Sequence, residues 1–152
     1  MKLKIILSVL LLFSLLKVDA NPLVDISITS GKEEVFLHSN DIPFEIKRVY
    51  YMYDTKEGVR RGYHAHKSLQ QILICIHGSC KILLDNGKEK KKVYLEKPYE
   101  GLYVPNNMWR EMYDFSPDAV LMCLASEVYN EDDYIRDYQQ FLDFINGDEK
   151  EW

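Results

Sequence analysis

The 152-residue chain has little of several things that would decide its class quickly. Cysteine is scarce: Cys75, Cys80 and Cys123 form no Cys-x-x-Cys pair and no even-numbered framework. That argues against a disulfide scaffold or a thiolate zinc site and reads as buried thiols in a reducing compartment. Positive charge is not in excess either, since the formal net charge is -5 and residues 131–152 alone carry eight acidic and two basic side chains. A nucleic-acid binder that tracks phosphates is therefore excluded. The one basic run, KEKKK at 88–92, follows the hairpin signal Asp85-Asn86-Gly87 and reads as a solvated edge. Repeats, linkers and low-complexity segments are missing, so one domain with one core is expected from 47% hydrophobic residues.

No apolar run is long enough for a comfortable transmembrane span. The longest, residues 5–16, follows MKLK and precedes Val18-Asp19-Ala20, so residues 1–20 read as a secretory signal or a hydrophobic N-terminal extension, ahead of a domain over 21–152. This conflicts with the reduced thiols, and export stands against a cytoplasmic location.

From Ile26 onward, short apolar runs alternate with turn signals, the mark of an all-β domain. Strands are expected at 34–37, 44–53, 62–66, 71–77, 81–85, 92–95, 101–104, 109–115 and 119–126. Such density is that of a sandwich or small barrel. The period then changes. Asn130 caps an expected helix whose first turn, Glu131-Asp132-Asp133, suits the positive dipole end, and Tyr134, Ile135, Tyr138, Phe141, Leu142 and Ile145 form an apolar stripe that ends at Asn146-Gly147. The stripe is read as packing against the barrel.

What is chemically distinctive is RGYHAHKSLQQ. In a strand, side chains alternate, so His64 and His66 share a face, joined by Gly62 and Arg60 if the strand extends back that far. The spacing Gly58, His64, His66, Gln71, Gly78 resembles the first motif of the cupin barrels, in which Gln71 replaces the usual glutamate. The second cupin motif corresponds to GLYVPNNMWR, which keeps its glycine and proline, but Trp109 or Arg110 stands where the last metal-binding histidine belongs. Two imidazoles with no anionic ligand are a poor divalent site, so no metal cofactor is expected. Free of metal, the pair can move protons near neutrality, the chemistry of an isomerase or epimerase. Trp109, Glu111 and Tyr113 share a face of their own strand and suit either a flat wall for a substrate or simple core filling.

The segments IPFEIKRVYYMYDT, GVRRGYHAHKSLQQILICIHGSCKILLDNG and GLYVPNNMWREMYDFSPDAVLMCLASEVYNEDDYIRDYQQF resemble the dTDP-4-oxo-6-deoxyglucose 3,4-ketoisomerases of the WxcM-like cupins. The resemblance implies an all-β cupin barrel of the RmlC-like jelly-roll type with a C-terminal helix, no cofactor, a dTDP-linked 4-keto-6-deoxy sugar as substrate, and a homodimer with exchanged N-terminal strands. It makes His64 and His66 the catalytic pair, moving a proton between C3 and C4 through an enediol. For the enolate oxygen the candidates are Arg60 and Gln71. Arg60, Arg61 or Arg48 is expected to meet the diphosphate, and Trp109, Tyr113 or Tyr50 to flank the sugar or thymine. The Asp-x-Arg that usually precedes the residue equivalent to Gly31 is missing; Ile28-Thr29-Ser30 occupies the place. A rival reading is a non-catalytic sugar- or nucleotide-binding cupin, exported from the cell.

Overall fold

The structure, a computed structural model, describes the backbone of residues 23–25, Leu37, and residues 41–147. The leader-like residues 1–20 and most of the expected strand 34–37 lie outside the described residues. The chain forms β1 (Leu23–Asp25), β2 (Arg48–Met52), β3 (Arg61–His66), β4 (Gln71–His77), β5 (Cys80–Asp85), β6 (Lys90–Leu95), β7 (Glu100–Val104), β8 (Trp109–Tyr113), β9 (Val120–Ala125), β10 (Tyr134–Ile135) and α1 (Tyr138–Asn146). They make two five-stranded sheets, ordered β1-β7-β4-β9-β2 and β10-β3-β8-β5-β6, with antiparallel neighbours.

The main core lies between the sheets. Leu73 and Cys75 of β4 meet Cys80, Ile82 and Leu84 of β5, Met112 of β8 and Leu121 of β9 there. The alternate residues of β4, Ile72 and Ile74, pack on the opposite face against Ile42, Phe44 and Leu124. Because both faces of β4 are covered, its sequence reads as an unbroken apolar run instead of an alternating one. All three cysteines are free and buried. The Asp85-Asn86-Gly87 signal does form the β5–β6 hairpin: the Asp85 carboxylate accepts from Gly87 N at 2.7 Å, and Gly87 takes φ +84°.

The C-terminal segment differs from the single helix expected after Asn130. Asn130 does cap, its side chain accepting from Asp132 N, but only the 3-10 turn Glu131–Asp133 follows. The helical course breaks because Tyr134 and Ile135 pair with His66 and Ala65 as β10, while the Asp133 carboxylate is bonded to the turn after β3. A second cap, Asp137, then starts α1, and Gly147 in the left-handed region ends it. The stripe packs as expected, with Phe141 buried against Trp109, Ala65 and Ile135.

Candidate active site

The position of each candidate follows from one irregularity in β3. Gly62 pairs with Glu111, yet His64 pairs with the adjacent Arg110, so β3 carries one extra residue, Tyr63, at φ +54°. This bulge reverses the alternation. Before it, Arg60 and Gly62 belong to the outer face of the sheet; after it, His64 and His66 face inward with Arg110. Simple parity, which put Arg60 beside the histidines, fails for this reason. Arg60 instead donates from Nη1 to the Glu111 carboxylate at 2.8 Å and lies over the Tyr113 ring at 4.1 Å.

The open choice between Trp109 and Arg110 is settled by the same register. Trp109 points outward, under α1, edge-on to Tyr138 at 5.2 Å, and Tyr113 shares that outer face. Neither is brought to the histidines. Arg110 points inward, 1% exposed, and its ε and both η nitrogens have no hydrogen-bond partner. Burial lowers its pKa to about 10, so it stays cationic near neutrality.

The imidazoles of His64 and His66 lie 4.9 Å apart, centroid to centroid, nearly perpendicular. Tyr134 packs on both, at 4.9 Å and 4.2 Å. His64 Nδ1 is 2.9 Å from the Gly62 carbonyl oxygen, which can only accept, so that nitrogen carries the proton and Nε2 is basic. His66 is fully buried, its Nδ1 3.0 Å from the Asp133 carboxylate and its Nε2 without a partner. Burial, with the Arg110 cation second, depresses the pKa of His64 to about 4 and that of His66 to about 2. The hydrogen bond of His66 Nδ1 to the Asp133 carboxylate does not outweigh the loss of water and the guanidinium. Two neutral bases thus sit beside a buried cation.

The facing sheet completes the enclosure. Gln71, 2% exposed, donates from Nε2 to the Tyr50 hydroxyl at 3.0 Å, and Tyr50 in turn meets the Cys123 thiol. Burial raises the pKa of both, Cys123 to about 11, so each is neutral. Arg48 extends along the same strand as Tyr50 with its guanidinium 5.2 Å from that ring and 5.7 Å from the Tyr129 ring; its ε nitrogen and one η nitrogen are buried without partners. Arg61, opposite Met112, remains exposed. Among the described residues, no three His, Cys, Asp or Glu side chains gather to hold a metal ion. Nor is any helix among them long and apolar enough to cross a membrane.

Two antiparallel sheets enclosing a histidine pair and a buried arginine define a cupin-type barrel. The chain belongs to the family described as "FdtA: WxcM-like, C-terminal", which it matches over residues 17–146. It is similar to the TDP-4-oxo-6-deoxy-alpha-D-glucose-3,4-oxoisomerase of Aneurinibacillus thermoaerophilus, with 51% identity over 107 residues, 70% of this chain and 77% of that one. A 3,4-ketoisomerase from Helicobacter canadensis superposes with a TM-score of 0.76 at 46% identity, covering 82% of this chain and 96% of its own. QdtA, a sugar 3,4-ketoisomerase from Thermoanaerobacterium thermosaccharolyticum solved with TDP, gives 0.78 at 43% identity, covering 83% and 94%.

Arg110 and Asp133 are functional candidates that sequence reasoning missed. The signal for Arg110 was present, as it occupies the last-ligand position of the second cupin motif. Asp133 gave none, because its place in the site depends on the helix breaking after it.

Proposed function

We infer that this protein is a sugar-nucleotide 3,4-ketoisomerase acting on dTDP-4-keto-6-deoxyglucose. The observation that carries the reading is the pair of neutral imidazoles, each with its basic Nε2 defined by a bond at Nδ1, beside the buried Arg110 guanidinium. A neutral imidazole removes the proton from C3, next to the C4 ketone, and the electron pair moves onto the C4 oxygen to give an enediolate. Arg110 supplies positive charge where that oxygen becomes negative, inside a volume depleted of water. Return of a proton to C4, with the proton of the C3 hydroxyl passing to the C4 oxygen, leaves the ketone at C3. One imidazole serves the carbon-bound proton and the other the oxygen-bound one. Arg48, at the end of β2 with two unpaired guanidinium nitrogens, suits the diphosphate. The non-catalytic reading is not favoured, since a binding protein has no need of two desolvated bases.

The protein acts in the cytoplasm, where nucleotide sugars are made, as a homodimer with exchanged N-terminal strands. The exposed Val49 and Tyr51 on edge strand β2, with the exposed Tyr53 just beyond its end, suit an association surface. Sedimentation of the full chain at micromolar concentration checks this; a monomer refutes it.

The test of activity is direct. Purified protein, with chelator present, is expected to convert dTDP-4-keto-6-deoxyglucose to its 3-keto isomer with solvent deuterium entering at C4, read by NMR. Turnover retained in the His64→Asn, His66→Asn double variant would remove the assigned roles.

A further inference from the structure

We propose that Asp133 is a positioning residue for His66, holding the imidazole with its proton on Nδ1 so that Nε2 faces the barrel interior as a base. The consequence for catalysis rests on the ketoisomerase reading; the geometry does not. His66 Nδ1 lies 3.0 Å from Asp133 Oδ2, and an ionised carboxylate can only accept. The ring therefore donates there, and its other nitrogen, buried and without a partner, keeps a lone pair.

The carboxylate is itself held. Ser68 N donates to Oδ1 at 2.7 Å and Leu69 N to Oδ2 at 3.3 Å, while Lys67 N donates to the Asp133 carbonyl at 2.9 Å. The turn leaving β3 thus wraps the end of the 3-10 turn and leaves the carboxylate little room to swing. His66 is pinned at its backbone too, its carbonyl accepting from Asn107 N at 2.7 Å. The two histidines differ in this respect, because His64 is oriented by a neutral carbonyl, Gly62 O at 2.9 Å. When Nε2 of His66 takes a proton, the resulting imidazolium forms hydrogen-bonded to a carboxylate, whereas the carboxylate whose field reaches His64, Glu131, is not the partner of its Nδ1.

Asp133→Asn separates positioning from mere support of the turn. The amide oxygen retains the shorter bond, to Ser68 N, and the amide nitrogen then points at His66 Nδ1, which must accept; the ring proton moves to Nε2. Nitrogen-15 shifts of His66 in labelled full-length protein at pH 7 read the tautomer without any substrate. Expected are an Nδ1-protonated ring in the wild type, a shift of the proton to Nε2 in Asp133→Asn, and a fall in kcat of at least about tenfold with KM within about twofold. Asp133→Glu keeps a carboxylate and is expected to keep the Nδ1 proton and recover part of kcat. Overturning results are a wild-type His66 that carries its proton on Nε2, or an Asp133→Asn enzyme with unchanged tautomer and kcat. Should Asp133→Asn fail to fold, the wild-type and Asp133→Glu spectra still decide. A wild type with the expected tautomer but no isomerase turnover supports the positioning by Asp133 and sinks the functional reading.

Discussion

Gly62 and Arg110 meet where β3 crosses onto β8: a Cβ built on Gly62 would lie 2.6 Å from the Arg110 carbonyl oxygen. The contact sits at the bulge that turns His64 and His66 inward, and Gly62 is there at φ +92°, a conformation that L side chains rarely adopt. Gly62→Ala adds a clash with backbone, which cannot give way as a flexible side chain can. It is expected to cost roughly 2–4 kcal/mol in urea unfolding and to reduce activity in the fraction that folds. Wild-type stability in this variant would mean that the bulge does not depend on glycine.

The same bulge explains what could be read from the sequence. Alternation correctly put His64 and His66 on one face, and Trp109, Glu111 and Tyr113 on one face, because each set lies within an unbroken stretch of strand. It failed for Arg60, across the bulge, since one extra residue inverts every assignment upstream and nothing in RRGYHAH announces Tyr63 in the left-handed region. The barrel itself was legible because turn signals and apolar runs are local properties. The break between the 3-10 turn and α1 was not: a stripe at helical spacing runs through Tyr134 and Ile135, but pairing with β3 and a second cap at Asp137 outweigh it. Tertiary contacts made by Asp133 decide the conformation there, and they are invisible in the local pattern.

Tyr138 ties α1 to the barrel through a single buried carboxylate. Its hydroxyl donates to Asp85 Oδ2 at 2.7 Å, and its ring lies edge-on to Trp109. Asp85 is 1% exposed, and its Oδ2 also pairs with Lys90 Nζ at 3.1 Å, so the carboxylate keeps one partner when the hydroxyl is lost. Tyr138→Phe keeps the ring packing and removes only that bond. It is expected to lower stability by about 0.5–1.5 kcal/mol, while KM stays near the wild-type value because this pair lies on the outer face. An unchanged denaturation midpoint would show the bond to be dispensable.

Arg110 is a buried cation whose guanidinium nitrogens lack partners among the described residues, an arrangement that folding alone does not reward. Its replacement should therefore separate stability from function. Arg110→Met removes the desolvated charge at similar length and is expected to raise the free energy of unfolding by about 1–4 kcal/mol. The same change is expected to reduce kcat/KM by roughly 100- to 1,000-fold, through loss of charge opposite the enediolate oxygen. Thermal denaturation and steady-state kinetics on one preparation check both. A destabilised variant with full activity would assign Arg110 to structure instead.

Depression of both histidine pKa values fixes the sign of two pH effects. Burial first, and Arg110 second, holds His64 down to about 4 and His66 to about 2, so the unliganded protein keeps both imidazoles neutral well below pH 6.5. kcat/KM is therefore expected to show no acid limb near 6.5 and to fall only as pH approaches the lower values; a limb at 6.5 would mean that the bases are solvated. Stability follows from proton counting. An unfolded histidine titrates near 6.5, above the folded values, so between these limits the unfolded chain binds more protons and folding weakens as pH falls. The contribution is complete above about 6.5 and is lost from there down through about 4 for His64, at a limiting slope of about 1.4 kcal/mol per pH unit for each histidine. Urea midpoints at pH 7 and pH 5 measure it, and His64→Asn is expected to remove about half of the histidine-linked difference, because the substituted side chain has no proton to gain while His66 still does.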